Sequence, residues 1–127
     1  MVYFPMTAEI LHRGHIECLQ WLSKYTDWVM IGLLTDNALR GYKKCGVKWE
    51  DRRFILDHIQ VSDLLITIVK QDDLNPYYNL LKYKPDYIAS GDGWEKEELK
   101  AIKDTNVKIL NIDLPKKWSS SKLLCKK

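Results

Sequence analysis

Two histidines separated by an arginine and a glycine stand near the start of the chain, in the segment His12-Arg13-Gly14-His15. This segment follows the apolar run Val2–Met6 and precedes residues with helical spacing, so we predict that it occupies a strand-to-helix turn. The N-terminus of a helix offers backbone N–H groups and a positive dipole end to an anion. Two imidazole donors at that end, His12 and His15, indicate a phosphate site where charge developing during a displacement is stabilised. We expect Gly14 to let the backbone approach that phosphate.

The elements that must position this turn alternate along the chain. Apolar runs bounded by polar or turn residues predict strands at Val2–Met6, Trp28–Leu34, Leu64–Val69, Tyr87–Ala89 and Val107–Ile112. Apolar positions with helical spacing lie between them, namely Ile16, Leu19 and Leu22, then Phe54, Ile55 and Ile59, then Leu80 and Leu81, then Leu99 and Ile102. The alternation predicts an α/β fold, a single Rossmann-like doubly wound domain over residues 1–127 with a mostly parallel five-stranded sheet. Such sheets bind ligands beyond the carboxyl ends of their strands.

Proline is expected to mark both ends of the third helix. Asn75-Pro76 reads as an N-cap followed by proline at the first helical position, where the missing N–H costs nothing. Lys84-Pro85-Asp86 ends the helix, because the residue before a proline is pushed out of the helical region.

Composition and charge exclude several classes of protein. The 127 residues are 46% hydrophobic and 29% charged, which is typical of one globular domain. A net charge of +3 is too small for a protein that coats nucleic acid, although it suits a pocket for a polyanionic small molecule. Cys18, Cys45 and Cys125 have no disulfide-framework or zinc-site spacing. No window approaches the ~18 apolar residues of a membrane span, and we expect a cytoplasmic protein that binds neither nucleic acid nor membrane.

The His12–His15 turn resembles the H-x-G-H signature of the nucleotidylyltransferase superfamily. Six further segments resemble, in order and spacing, the corresponding blocks of glycerol-3-phosphate cytidylyltransferase-like proteins. They are Gly32–Asp36, Tyr42–Lys44, Trp49–Arg52, Val61–Asp63, Ser90–Trp94 and Trp118–Lys122. This resemblance implies a CTP-dependent cytidylyltransferase that moves CMP from CTP to a small phosphorylated acceptor and releases pyrophosphate. It also implies a homodimer.

The resemblance implies roles for residues near the phosphates. Thr7 and Ala8 would lie in a loop beneath the phosphates, with His12 and His15 as donors in the transition state. Lys44 would close over the triphosphate as a cation on a flexible arm. A magnesium ion is expected to bridge the nucleotide phosphates, and the sequence offers no dedicated carboxylate cage from which to name its ligands.

Residues farther along the chain are implied to contact the nucleoside or the acceptor. By resemblance Asp92 and Trp94 lie beside the base and the sugar. Asp36, at the end of the second strand, and Arg52 are expected to contact the acceptor or a phosphate, since a cation in the first turn of a helix opposes the dipole and needs a partner. The remaining candidates are Ser119, Ser120 and Ser121, expected to bind phosphate oxygens, and Lys116, expected to contact a phosphate.

Several of these residues also have an ordinary structural alternative. Lys44 reads equally as a solvated loop lysine, and Trp94 as packing over the edge of the sheet. One of the serines in Ser119–Ser121 would in any case serve to cap a helix.

The chain also departs from the family pattern. Met6 and Glu9 stand where the relatives usually have glycine and aspartate, and Met6 would narrow the floor of the phosphate loop. Lys116-Lys117 replaces an Arg-Thr-Glu-Gly stretch, so a bidentate arginine has become a point charge. The opening segment is closer to cytidylyltransferases that act on phosphonates or phosphoramidates, such as L-glutamine phosphate, in capsule and surface-polysaccharide modification.

Other functions stay open at this point. An adenylyltransferase of the same superfamily differs only in contacts to the base that the sequence does not reveal. A nucleotide-binding regulator without catalysis would fit the departures at Met6 and Glu9 and the missing arginine, although both histidines and the serine block argue against it. A fragment of an aminoacyl-tRNA synthetase would need a K-M-S-K-S-like loop and a tRNA-binding domain, for which the chain has no room.

Overall fold

The computed structural model describes residues 1–8, 11–39, 46–91 and 93–114. Within these ranges strands and helices alternate in the predicted order, and the predicted strand ends lie within about two residues of the observed ones. The strands are β1 (Val2–Met6), β2 (Trp28–Leu34), β3 (Leu65–Gln71), β4 (Tyr87–Ser90) and β5 (Lys108–Asn111). The helices are α1 (Arg13–Leu22), α2 (Trp49–Asp57), α3 (Tyr77–Tyr83) and α4 (Lys96–Asp104).

These strands form one sheet in the order β3-β2-β1-β4-β5, and each neighbouring pair is parallel. The predicted α/β class and doubly wound sheet are therefore confirmed. The chain leaves β1 for β2 on one side and later places β4 on the other side of β1. The strand order thus reverses between β1 and β4, and a crevice for ligands opens at such a point beyond the carboxyl ends of the strands.

The sheet separates two apolar clusters, because successive side chains of a strand point to opposite faces. Val2, Phe4 and Met6 of β1 pack on one face with residues of α1 and α2. Tyr3 lies in the other cluster, whose members come also from α3 and α4, among them Leu80 and Ile102. None of the helices in the described ranges is long and apolar enough to cross a membrane.

A buried polar network lies in the second cluster and fixes the carboxyl end of β3. The Tyr3 hydroxyl donates to Oε1 of Gln71 over 2.6 Å and accepts from Nδ2 of Asn79 over 2.8 Å. Burial raises the pKa of Tyr3 well above its ordinary value, so the hydroxyl stays protonated and can donate. Gly32 on β2 makes room for it, since a Cβ there would overlap the hydroxyl.

The orientation of α2 differs from the prediction. Phe54 and Ile55, predicted on the apolar face, are 64% and 49% exposed. The buried positions of α2 are instead Trp49, Arg52 and Leu56. Arg52 interrupts the run of apolar residues on the inward face of α2. The spacing of apolar residues therefore predicted the wrong face, the one that is exposed.

The ends of α3 agree more closely with the prediction. The helix begins at Tyr77 and Pro76 is the cap, one position later than proposed, while Oδ1 of Asn75 accepts from the Tyr77 N–H over 3.0 Å. Lys84 ends the helix in the left-handed conformation with φ 47°.

Candidate active site

The two histidines cap the N-terminus of α1 reciprocally. His12 is the N-cap, and its Nδ1 accepts from the backbone N–H of Gly14 over 3.0 Å. Nδ1 of His15 accepts from the backbone N–H of His12 over 3.1 Å. A backbone N–H can only donate, so both Nδ1 atoms are unprotonated, and a neutral ring then carries its proton on Nε2. The helix cap therefore sets one tautomer in both residues.

The electrostatics favour neutral rings at this helix end. The ring centroids of His12 and His15 lie 4.0 Å apart with an angle of 36° between the ring planes, so two imidazolium charges would repel each other. Burial lowers the pKa of His12 below its ordinary value. Two Nε2–H donors at the positive end of a helix dipole suit an anion without requiring a protonated ring.

Gly14 takes part in the cap of α1. Its backbone N–H, expected to approach a phosphate, donates to Nδ1 of His12. It orients an imidazole through this bond, and a direct approach of the Gly14 backbone to a phosphate stays a prediction.

The loop that follows β1 has an unusual backbone conformation. Ala8 has φ 50°, in the left-handed region that costs an ordinary residue about 1–2 kcal/mol. The residue is nevertheless buried and belongs to the first core cluster. The carbonyl oxygen of Thr7, in the peptide unit just before Ala8, accepts from Nη1 of Arg52 over 2.8 Å.

Arg52 lies beneath this loop and its side chain is 0% exposed. Its Nε donates to the carbonyl of Val47 over 3.0 Å, and Nη1 also donates to the carbonyl of Leu34 over 2.7 Å. Nη2 donates to Oδ1 of Asp36 over 2.9 Å. One guanidinium thus joins the ends of β1 and β2 and the approach to α2, using the several N–H donors that only arginine presents.

Asp36 also serves as the cap of α2. Its Oδ1 accepts from the backbone N–H of Trp49 over 2.9 Å, while the N-cap residue Lys48 makes no side-chain cap bond. The carboxylate is 57% exposed, and it neutralises the arginine while satisfying an N–H that the helix itself leaves unpaired.

The structure thus accounts for the cation in the first turn of α2 through partners within the protein. Carbonyl oxygens and Asp36 compensate the charge, so the helix dipole does not by itself require a phosphate contact of Arg52, and that contact stays a prediction. Contacts of Arg52 and Asp36 with an acceptor stay predictions.

The loop after β4 lies at the same end of the sheet. A Cβ built on Gly91 would stand 3.8 Å from Sγ of Cys18 on α1, which places this loop beside the helix that carries the histidines. Gly93 has φ 81°, a conformation that suits glycine, and its carbonyl accepts from Oγ of Ser90 over 3.3 Å. The turn thereby directs Trp94 toward the sheet.

Trp94 packs against the second core cluster, which agrees with the structural alternative considered for it. Its indole Nε1 is buried, and no hydrogen-bond partner for that atom lies among the residues that the structure describes. A contact with base or sugar stays a prediction.

Several predicted site residues lie outside the described ranges. They are Lys44, Asp92, Lys116, Ser119, Ser120 and Ser121, together with the departures at Glu9 and Lys117. Met6, the remaining departure, packs in the first core cluster at the end of β1. Its side chain packs in the same cluster as Ala8 of the loop, and a narrowed loop floor stays a prediction.

Sequence reasoning missed two features of this site. The reciprocal cap had a visible signature, since the spacing of His12 and His15 is that of a capping box, in which residues at the N-cap and N3 positions pair. The link from Arg52 to Thr7 had none, because it joins residues 45 positions apart through a backbone oxygen.

Known proteins resemble this chain over most of its length. A model of the cytidylyltransferase-like family matches residues 3–122. A glycerol-3-phosphate cytidylyltransferase of Staphylococcus aureus is 32% identical over 97 residues, covering 72% of this chain and 68% of the relative. An FAD synthase of Archaeoglobus fulgidus is 29% identical over 112 residues, covering 84% of this chain and 79% of the relative.

The fold has a counterpart among solved structures. The crystal structure of the lipopolysaccharide core biosynthesis protein from Thermoplasma volcanium GSS1 matches with a TM-score of 0.73 at 22% identity. The match covers 90% of this chain and 96% of that one. At that identity the likeness shows the fold.

Proposed function

This chain belongs to the cytidylyltransferase-like family of nucleotidyltransferases, and we propose that it transfers CMP from CTP to a small phosphorylated acceptor with release of pyrophosphate. The observation that carries the proposal is the reciprocal cap of α1. It holds two neutral imidazoles, His12 and His15, as Nε2–H donors beside the point where the strand order reverses. A triphosphate is the ligand that such donors suit.

The proposed reaction is an in-line displacement. An anionic oxygen of the acceptor phosphate attacks the α-phosphorus of CTP, a new P–O bond forms, and the bond between the α-phosphorus and the bridging oxygen breaks. The electron pair leaves with pyrophosphate, and the nucleophile needs no general base because it is already an anion. Charge grows on the equatorial and leaving oxygens, where Nε2–H donors gain strength as the reaction proceeds.

Other chain segments complete the proposed site. The Thr7–Ala8 loop would lie under the phosphates, and Lys44 would close over them. Binding of phosphate oxygens by Ser119–Ser121 and Lys116, and of the nucleoside by Asp92 and Trp94, belongs to the same proposal.

Magnesium is proposed as part of the substrate, as a Mg–CTP complex held by phosphate oxygens. Among the described residues no group of three or more histidine, cysteine, aspartate or glutamate side chains is arranged to hold a metal ion. Oδ1 of Asp36 is already engaged with Arg52 and the Trp49 N–H. Most ligands of the metal would therefore be oxygens of the nucleotide phosphates and few would be carboxylates of the protein. Mg²⁺ commonly binds in this way.

For the acceptor we propose a phosphoramidate such as L-glutamine phosphate, a phosphonate or a polyol phosphate, in capsule or surface-polysaccharide modification. The relative from Staphylococcus aureus is named for glycerol 3-phosphate. The replacement of an arginine stretch by Lys116-Lys117 supports a different acceptor, since lysine lacks the fork that grips two phosphate oxygens at once.

The experiment is a matrix of CTP, ATP, GTP and UTP against glycerol 3-phosphate, a phosphonate and L-glutamine phosphate, with Mg²⁺. Pyrophosphate release is followed with and without each acceptor. We expect CTP to be the only one of the four nucleotides that supports release. We expect no release from CTP without an acceptor. Turnover with ATP or GTP as fast as with CTP would refute the cytidylyl assignment.

An adenylyltransferase is the second candidate, favoured by the similarity to an FAD synthase. The same matrix with FMN as an added acceptor separates the two. Thermal unfolding adds an independent measure, because a nucleotide at 100-fold above its Kd stabilises the folded state by about 2.7 kcal/mol. Stabilisation by CTP without turnover in any combination would instead indicate a nucleotide-binding regulator.

A further inference from the structure

Arg52 makes the most extensive set of side-chain hydrogen bonds among the described residues. We propose that Arg52 is a positioning residue that orients the backbone N–H of Ala8 toward the bound phosphates. The proposal rests on the proposed function for the identity of the ligand. Its structural part, the orientation of one peptide plane, stands on contacts within the chain.

The first step concerns the peptide bond between Thr7 and Ala8. In a planar trans peptide the carbonyl and the following N–H point in opposite directions. Nη1 of Arg52 holds the Thr7 carbonyl over 2.8 Å. The Ala8 N–H therefore points away from the buried guanidinium.

The second step concerns the conformation of Ala8. Its φ of 50° is one that a non-glycine residue keeps only when its surroundings enforce it. The bond from Arg52 to the preceding carbonyl is one such constraint, and burial of the Ala8 methyl in the core is another. Arg52 thus helps to hold a conformation that the chain would otherwise leave.

The third step concerns what else the guanidinium holds. It binds the carbonyl of Leu34 at the end of β2 and the carbonyl of Val47 before α2, and Asp36 fixes its remaining side. These partners keep the arginine rigid, so the Thr7 carbonyl is held against β2 and α2. A lysine at this position has one nitrogen and cannot reach all of these acceptors.

The test compares Arg52→Lys with Arg53→Lys. Arg53 is the next residue of the same helix and is about half exposed. It pairs with Asp57 over 3.3 Å and lies 5.5 Å from the centroid of the Trp49 ring, so the control makes the same chemical change without a bond to the Thr7 carbonyl. Two quantities are measured on folded protein: the Kd of Mg–CTP without acceptor, and the residual dipolar coupling of the Ala8 amide without any ligand.

We expect Arg52→Lys to raise the Kd about tenfold, in keeping with the loss of one hydrogen bond to a charged group, and to change the Ala8 coupling while couplings in β2 stay constant. Arg53→Lys should change neither quantity. A purely structural role of Arg52 would lower the melting temperature and leave both quantities unchanged in the folded protein, and that result would overturn the proposal.

A second variant decides the matter if Arg52→Lys does not fold. Asp36→Asn keeps an oxygen for the Trp49 N–H and removes the charge that fixes the guanidinium. In Asp36→Asn the residual dipolar coupling of the Ala8 amide should therefore change, and the Kd of Mg–CTP should rise. An unchanged coupling and an unchanged Kd would then count against the proposal. Wild-type protein that neither binds nor turns over CTP would refute the proposed function alone, because the Ala8 coupling tests the positioning without a nucleotide.

Discussion

His12 has two separable roles, and one substitution distinguishes them. Its Nδ1 caps α1 by accepting from Gly14, and its Nε2–H is proposed to donate to the phosphates. Asparagine is among the best N-cap residues, and its shorter side chain places no donor where Nε2 lies. His12→Asn should therefore keep the cap and remove the donor, whereas His12→Ala removes both.

The size of each effect follows from these roles. Loss of one preorganised donor to a developing charge costs about 10²–10³ in kcat. Loss of an N-cap costs about 1 kcal/mol, which for a domain of this size lowers Tm by about 4 °C. We expect His12→Asn to lose kcat by about 10²–10³ with Tm near that of the wild type, and His12→Ala to lose both.

The measurement pairs steady-state pyrophosphate release with thermal unfolding for wild type and both variants. The acceptor is the one that supports turnover in wild type, and Kd for Mg–CTP is measured separately. A His12→Asn enzyme with kcat within about threefold of the wild type would refute the donor role and leave His12 as a helix cap only.

The remaining predictions address the same cap, the core and the assembly. His15→Gln should hold Tm better than His15→Ala, because glutamine at this position can still accept from the N-cap N–H, while both lose kcat by about 10²–10³ in pyrophosphate release. Burial lowers the pKa of His12, so the stability that its neutral form contributes is complete above about pH 6.5 and is lost as the pH falls below that value. Urea unfolding at pH 7.5 and pH 5.5 should show this loss in wild type and less of it in His12→Asn. Gly32→Ala should destabilise by about 3 kcal/mol in urea unfolding, since the new methyl overlaps the hydroxyl and the ring of Tyr3, and an unchanged unfolding midpoint would contradict this packing. We also expect a homodimer, because aromatic and aliphatic side chains on α2 are exposed, and sedimentation that gives a monomer at micromolar concentration would contradict this.

The sequence predicts most of the fold, for a physical reason. Strands of a parallel sheet that are covered on both faces are continuous apolar runs, and Val2–Met6 and Trp28–Leu34 are such runs with the bounds that the structure has. The position of His12 and His15 followed from the same pattern, because the turn after the first strand lies at the carboxyl end of the sheet. Local patterns fix these features, so no tertiary contact was needed to find them.

The inward face of α2 could not be predicted from the same patterns. Helical phase is read from the spacing of apolar residues, and Arg52 occupies an inward position between Trp49 and Leu56. A buried arginine is energetically acceptable only when its N–H groups meet acceptors, here backbone oxygens from distant segments. Those acceptors do not show in the sequence, because a carbonyl oxygen belongs to every residue type.

Two features of the site are unfavourable for folding alone. A left-handed Ala8 costs about 1–2 kcal/mol that glycine would avoid, and burial of the Arg52 charge carries a desolvation cost that an apolar side chain would avoid. Strain of this kind clusters at ligand sites, and here both features act on the peptide plane between Thr7 and Ala8.

The proposed binding of a triphosphate to that loop would be the same in an enzyme and in a regulator, so catalysis is tested at His12 and His15. Substitution of the imidazoles can separate an enzyme from a regulator. Loss of a donor that acts on the transition state lowers kcat more than it weakens ground-state binding of the nucleotide. If His12→Asn leaves the Kd of Mg–CTP within about threefold while kcat falls about 10²–10³, the cap of α1 is catalytic machinery. If Kd rises by the same factor as kcat/KM falls, the imidazoles bind the nucleotide uniformly and the site is built for recognition.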